Sequence, residues 1–489
     1  MLNFLLWVPL AFGLIAAFLP KKAAAWTGVL GAVVTLGIAI GATIGFDPGE
    51  GMQYIVDVDW IPGLGVSYSL GIDGLSVWLV LLTAVAWVPA TIFAATRAPE
   101  RTGLYMMMML AGETATLGAF LAQDLLLFVL FFDLMIVPFY FLFGIWGEER
   151  DGVSVNSATM KMIVYTLIGS LLMLVGAIAL AVISADGGPI TFSMAELTVK
   201  GLPSASQNWI FWFFAAAFLV KMPAFPLHGW VQDAYRAAPL PALAVFSAVL
   251  SKVGAYGFLR VVLPILPDAT QLFQTTLLIL AVASIIYGSV MAFTKTDLRL
   301  IVAYSSIAQL GFITAGIFSL DSTGANGALL QMVNHGLVVV PAFLIVALIR
   351  ERTGTEDASK MGGLAKNAPV FVVIFLIVTM STLALPGSPN FIGEFYIVNG
   401  IFQNFVAIAI VATLGMAFSA YYALRMYQRS MHNPLAEGVE SREISLRDGL
   451  ILVPMVACLV VLAFCPQIIL NGTEDAANAS VTIAKEATR

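Results

Sequence analysis

Apolar residues run along this chain in blocks of about 20, each long enough to cross the roughly 30 Å hydrocarbon layer of a bilayer as a helix, with short polar segments between them. Fourteen blocks can be placed, at roughly 3 to 19, 25 to 45, 70 to 95, 103 to 122, 124 to 146, 158 to 184, 209 to 236, 240 to 266, 272 to 294, 298 to 319, 324 to 350, 369 to 402, 404 to 430 and 448 to 471. The pattern predicts an all-α polytopic membrane protein with about 14 transmembrane helices. Two blocks are interrupted, the seventh just after Lys221 by Pro223 and Pro226, the twelfth at Leu385, Pro386, Gly387, Ser388 and Pro389. Irregular backbone at bilayer depth is tolerated only where protein covers it or a wet cavity receives it. Interrupted helices at matching places in two halves point to the inverted repeats of a transporter. Residues 103–266 and 267–430 then form two five-helix repeats with helix 7 and helix 12 broken, each fourth in its unit. The odd number of helices per unit inverts the second copy. Residues 1–102 supply helices one to three, and 431–489 an inner loop, the last helix and a C-terminal tail.

Charge orients this set. Of the 23 Lys and Arg, all but Lys200, Lys221, Lys252, Arg260, Lys485 and Arg489 fall in connections on the side of Lys21, Arg97, Arg150, Lys295, Arg350 and Arg425. An excess of Lys and Arg marks cytoplasmic loops, so both termini are expected to face away from the cytoplasm. The first block resembles a secretory signal in length, but Lys21 and Lys22 follow it instead of preceding it, so it is expected to stay as the first span.

Composition removes several function classes. With 60% hydrophobic and 11% charged residues, the chain lies far from soluble domains, in which about a quarter of residues are charged. Cys458 and Cys465 share one late apolar block and the three histidines, His228, His335 and His432, are scattered. No disulfide framework, zinc spacing or cluster pattern follows. Without a dinucleotide fingerprint or a P-loop, any nucleotide chemistry is expected on another chain; the lipid bilayer is a partner and nucleic acid is not.

The informative residues are the charges inside the spans. Asp133, Lys221 and Lys252 lie roughly 14 to 18 Å from the ends of their helices at about 1.5 Å per residue, near the middle of the membrane. Glu394 follows the second break at comparable depth. Ionisable groups at such depth are costly and mark ion pathways. Acid, base, base and acid form a row, with Ser305, Ser306, Gln309 and His335 between Lys252 and Glu394. A buried Lys beside a carboxylate stays protonated, and releases its proton when that partner swings away, which makes the row a proton relay. Glu113 and His228 are candidates for a supporting role, as are the break prolines Pro223 and Pro386. Asp73 and Arg260 lie nearer helix ends, where capping and snorkelling explain them. The stripe Met106 to Met109 reads as packing.

The same residues carry a resemblance. The stretch from Lys221 through His228, Gly229, Trp230, Asp233, Ala238 and Pro239 to Lys252, Gly254, Tyr256, Gly257 and Arg260 resembles the signature of the antiporter-like subunits of respiratory complex I, the proton-translocating NADH:quinone oxidoreductase. Asp297, Leu298, Arg299, then Ala303 to Ser306, His335 with Gly336, and the run Leu385 to Phe395 extend it, over roughly residues 70 to 430. The acid at Glu394 is similar to chain M, the counterpart of mitochondrial subunit 4; sister chains L and N carry Lys there. The resemblance implies fourteen helices and a proton channel through both repeats. It implies no cofactor on this chain, and places the flavin (FMN), iron-sulfur clusters and quinone on other subunits, chains L and N among the partners, and the whole in the bacterial cytoplasmic (inner) membrane. By position it implies a helix-five acid at Asp133, a helix-seven lysine at Lys221, a connecting lysine at Lys252 and an exit-side acid at Glu394. Three residues depart from the pattern: Asp133 stands for the usual Glu, Gln309 for a His, and Tyr235 for the His of Asp-Ala-His. Asp133, one methylene short, is expected to reach Lys221 through a bridging water. The rival readings are a subunit of a multi-subunit sodium/proton antiporter, the membrane arm of a related hydrogenase or ferredoxin-linked enzyme, and a structural scaffold.

Overall fold

A computed structural model describes residues 1–435 and 441–486; the expected placement of Arg489 lies outside the described residues. Among these, eleven helices are long and apolar enough to cross a membrane, from Lys21–Ile44 to Leu446–Phe464. The other expected spans are the shorter Leu2–Ala17 and the two broken ones, Ser204–Lys221 with Val231–Ala237 and Pro369–Thr382 with Pro389–Phe402. The most apolar stretches of Leu240–Ile265, Leu298–Phe318 and Ser322–Thr353 are wholly buried, whereas Val155–Ala185 and Val406–Met431 leave most of theirs uncovered. The three buried helices form the centre of the molecule, and they carry Lys252, Gln309 and His335.

Both breaks recover the hydrogen bonds that their prolines remove. In the first, Ala224 N donates to Leu219 O (2.9 Å), Phe225 N to Ser284 Oγ (2.9 Å) and the Trp230 indole to Val220 O (3.2 Å). In the second, Leu385 N donates to Met380 O (3.1 Å) and Ser388 N to Leu385 O (2.8 Å), Asn334 Nδ2 donates to Pro389 O (2.7 Å), and Gly387 takes a φ of 94° that other residues rarely adopt. Such substitutes are what allow proline breaks at bilayer depth.

Three boundaries differ from the hydrophobic pattern. Residues 53–72, read as connection and start of span three, form an antiparallel hairpin of Gln53–Ile61 and Val66–Ile72, and the third span begins only at Val77. The apolar end of the second strand had blended into the next helix. This hairpin turns at Gly65, whose positive φ of 68° and closeness to the Ile190 carbonyl exclude a side chain. The last span ends at Phe464, so Cys465 lies beyond it, and the expected tail forms an amphipathic helix, Gln467–Glu486. It packs on Ser322–Thr353 and Pro267–Thr294 at the same end of the molecule as the hairpin. At the opposite end, Arg299 forks onto Glu356 (Nε–Oε2 2.9 Å, Nη2–Oε1 2.8 Å), while its Nη1 donates to the carbonyls of Tyr235, Arg236 and Ala238.

Candidate proton-relay site

Lys221 is the last residue of its helix and is 6% exposed. Its ammonium donates to Phe132 O (2.9 Å) and lies 4.3 Å from the centre of the Phe132 ring. Asp133 sits one residue on, just before Met135, where the fifth span breaks into Leu125–Leu134 and Ile136–Trp146. Among the described residues there is no Asp133–Lys221 ion pair within 4 Å, and Asp133 Oδ1 is buried without a partner. The short acid thus stops short of the lysine, and the main-chain carbonyl beside it takes the hydrogen bond.

A small cavity of about 10 Å³ lies beside Lys221, lined by Thr166, Trp230, Tyr235 and Ser251 together with the apolar Ile136, Met162, Phe246 and Leu250. That is about the least space that admits one water. Ser251 Oγ is 3.3 Å from Lys252 Nζ, so Ser251 links the cavity beside Lys221 to Lys252. Lys252 is fully buried on the short helix Ser251–Gly257, flanked by two π-helical stretches, Phe246–Leu250 and Phe258–Val262. Such wide turns recur at functional sites. The Lys252 ammonium also lies 3.3 Å from Ser247 O and 2.9 Å from His335 Nδ1.

Gln331 lies four residues before His335 and three before Asn334, so both stand one turn on from it along the same helix. Gln331 Nε2 donates to Gln309 Oε1 (2.6 Å) and Gln309 Nε2 to Glu394 Oε1 (2.7 Å). All of these residues are at most 2% exposed. The helices of these two hydrogen-bonded groups also carry buried polar atoms without a hydrogen-bond partner among the described residues: His335 Nε2, Gln331 Oε1, Asn334 Oδ1, both side-chain atoms of Asn390 and Glu394 Oε2, with the Tyr422 hydroxyl near Ser305 and Glu394. Buried polar atoms are nearly always satisfied, so this run defines a polar interior suited to water.

The expected row is therefore recognisable in part. Lys221, Lys252, His335, Gln309 and Glu394 fall along it. Ser305 and Ser306 bond their own helix at Val302 O. His228 lies in the first break between Phe225 and Tyr287, ring centres 5.7 and 4.4 Å away. Both carboxylate oxygens of Glu113 are buried and unpartnered. Asp73 caps the start of the third span through Oδ1, as read, but its Oδ2 also faces Arg260 across 2.6 Å, so Arg260, read as a snorkelling cation, is an ion-pair partner instead. Sequence reasoning missed Ser251, Gln331, Asn334, Asn390 and Tyr422. The signal for Gln331 and Asn334 was present, as two amides three apart in an apolar helix, Gln331 one turn before His335.

A helical bundle with two broken helices and two buried lysines inside it is the architecture of an ion-translocating membrane subunit. Residues 122–419 match the family model described as NADH:quinone oxidoreductase/Mrp antiporter, TM. The chain is 36% identical over 488 residues to the NADH-quinone oxidoreductase subunit M of Rhodobacter capsulatus, covering 96% of this chain and 94% of that one. It is 35% identical over 425 residues to subunit M of Escherichia coli K12, covering 86% and 84%. Among solved structures, a chain of respiratory complex I from Thermus thermophilus with bound NADH superposes with a TM-score of 0.91 at 29% identity, covering 99% of this chain and 100% of that chain. A chain of the Mrp complex from Dietzia sp. DQ12-45-1b shares the fold at 20% identity, with a TM-score of 0.85 and coverage of 99% and 98%. This chain belongs to the NADH:quinone oxidoreductase/Mrp antiporter membrane-subunit family.

Proposed function

We propose that the chain is the M-type proton-translocating membrane subunit of an NADH:quinone oxidoreductase. The observation that carries the reading is the continuity of polar groups from Lys221 through the small cavity and Ser251 to Lys252 and His335. Protons enter from the arginine-rich end, which the Lys and Arg distribution assigns to the cytoplasm of a bacterial cell. They pass to Lys252 by way of a water at Ser251. While Lys252 is charged it only donates, so His335 Nδ1 accepts and the ring proton sits on Nε2. When Lys252 passes its proton to Nδ1, the proton on Nε2 is released into the polar interior toward Glu394 and the hairpin end. Asp133, beside Lys221 at a helix break, biases the charge of that lysine and passes its state to a neighbouring subunit. The units 103–266 and 267–430 act as inverted halves, a reading supported by the matching positions of their breaks.

Flavin, iron-sulfur clusters and quinone then reside on other subunits, and chains L and N are the expected neighbours in the membrane arm. The sodium/proton antiporter reading keeps the same relay without NADH. The test is to tag the chain, extract it in mild detergent and assay NADH-driven quinone reduction in what co-purifies. Redox subunits with that activity, and loss of coupled pumping in Lys221→Ala, are the expected results. Small antiporter chains without redox centres would overturn the assignment to the oxidoreductase.

A further inference from the structure

The helix that carries Lys252 continues toward the hairpin end with Tyr256 and Arg260 at successive steps of four, which stacks all three on one face. Arg260 Nε donates to Tyr256 Oη (3.0 Å), and its Nη2 lies 2.6 Å from Asp73 Oδ2. Tyr256 Oη in turn donates to Phe120 O (3.2 Å), and the two rings meet edge to face at 5.4 Å. Asp73 is itself fixed, since its Oδ1 accepts from Leu75 N (3.1 Å) and Ser76 N (3.2 Å) at the start of the third span. The guanidinium is therefore held from two sides. Beyond it, at the hairpin end, a cavity of about 410 Å³ is lined by Arg260, Asp73, Gln123, Asp475 and Ser480 among others, a volume that accommodates many waters.

A wet chamber with two acids in its wall, two helical turns from a lysine that carries protons, is a path for protons to run back. We propose that Arg260 is an electrostatic plug that holds a fixed positive charge between this chamber and Lys252, sealing the first half of the subunit against return flow from the hairpin end. An arginine suits the task because it does not deprotonate in proteins, so it cannot relay a proton, and a fixed cation at a constriction repels an incoming one. Asp73 has a positioning role: it aims the guanidinium across the mouth of the chamber. This inference rests on the reading of Lys252 as a relay group.

The test is passive proton entry into proteoliposomes that contain the whole complex and an internal pH dye, without NADH, under an imposed pH gradient and normalised to assembled complex. Arg260→Gln is expected to raise the leak about tenfold, the effect of removing one unit charge at about 10 Å in a medium of effective dielectric near 20. Arg260→Lys keeps the charge and is expected to stay tight. Asp73→Asn breaks the same ion pair but leaves the cation, and is also expected to stay tight. A leak in Asp73→Asn equal to that in Arg260→Gln would mean that loosened packing, and not lost charge, opens the path, and would overturn the plug. Tight vesicles with Arg260→Gln would overturn it equally. If the buried carboxylate left by Arg260→Gln prevents assembly, the double variant Asp73→Asn/Arg260→Gln removes both charges, which a fold tolerates better than one unpaired; it differs from Asp73→Asn only by the cation and is expected to leak more than Asp73→Asn, whereas a double variant as tight as Asp73→Asn would overturn the plug. NADH-driven pumping by the unaltered complex tests the relay reading separately, so a failed plug and a failed relay give different results.

Discussion

Lys252 Nζ lies 2.9 Å from His335 Nδ1, which joins the two central helices at the level where the membrane is least able to solvate a charge. Replacing His335 with Leu leaves Lys252 facing only serine oxygens on its own helix. NADH-driven proton uptake by inverted vesicles is expected to fall about tenfold or more, and His335→Gln, which can still accept from the ammonium but cannot pass a proton on, should lose as much. Substantial pumping retained by the Gln variant would show that the ring only holds Lys252 and does not carry the proton; no loss in either would remove it from the relay.

Asp133 ends its side chain short of Lys221, and the extra methylene of Glu provides reach. Asp133→Glu is expected to retain coupled turnover within about twofold, because the added carbon extends the carboxylate toward Lys221 by less than the diameter of a water. A steep loss, measured as the ratio of protons moved to NADH oxidised, would show that the helices around Met135 are fitted to the shorter acid.

Gln309 holds Glu394 with its amide and takes a hydrogen bond from Gln331 with its carbonyl. Gln309→Leu orphans both partners, at a cost of about 1–3 kcal/mol for each buried group, and is expected to lower the melting temperature of the purified complex as well as its pumping. Gly393→Ala is expected to act through the same group, since a methyl there would meet the Gln331 side chain. A Gly393→Ala complex with normal pumping would show that Gln331 can move aside without consequence.

Glu356 gives a pH signature outside the membrane. Burial pushes its carboxyl up, but Arg299 and Arg150 outweigh that and hold it below the usual carboxylate range. A carboxyl lowered in the folded state contributes stability that is fully present above its unfolded value, near pH 4.3, and is lost as pH falls through the folded one. Thermal unfolding of the complex followed from pH 7 down to about pH 2 is expected to show an acid-sensitive limb that sets in near that unfolded value and continues below it. Glu356→Gln should flatten that limb and lower stability at pH 7, because it leaves Arg299 buried without its counter-charge. An unchanged limb would place the acid-sensitive groups elsewhere.

The parts of this molecule that announce themselves in sequence are those that violate the apolar background. Lys221 and Lys252 stand out as charges within greasy blocks, and both breaks stand out as clustered prolines. Gln331 and Asn334 are quieter because an uncharged amide can be buried by hydrogen bonding alone and carries no charge to account for, although it still orders the polar interior. The π-helical turns around Lys252 have no local signal, since they arise from how neighbouring helices press on that segment. The Asp73–Arg260 pair was hidden by distance: the two are 187 positions apart in sequence, and each alone resembles an ordinary helix-end residue. The hairpin was absorbed into a neighbouring block, because Leu70, Gly71 and Ile72 are as apolar as the helix that follows.

The Arg299 fork has a mechanical consequence. It binds the end of the first broken helix, through the carbonyls of Tyr235, Arg236 and Ala238, to the loop that carries Glu356 in the second half of the chain. With that rim clamped, the halves cannot rock apart there as rigid bodies, and whatever movement accompanies transport is left to side chains and to the unwound segments at the middle of the membrane. The subunit would then work less like a pair of jaws than like a riveted frame with a few loose links at its centre.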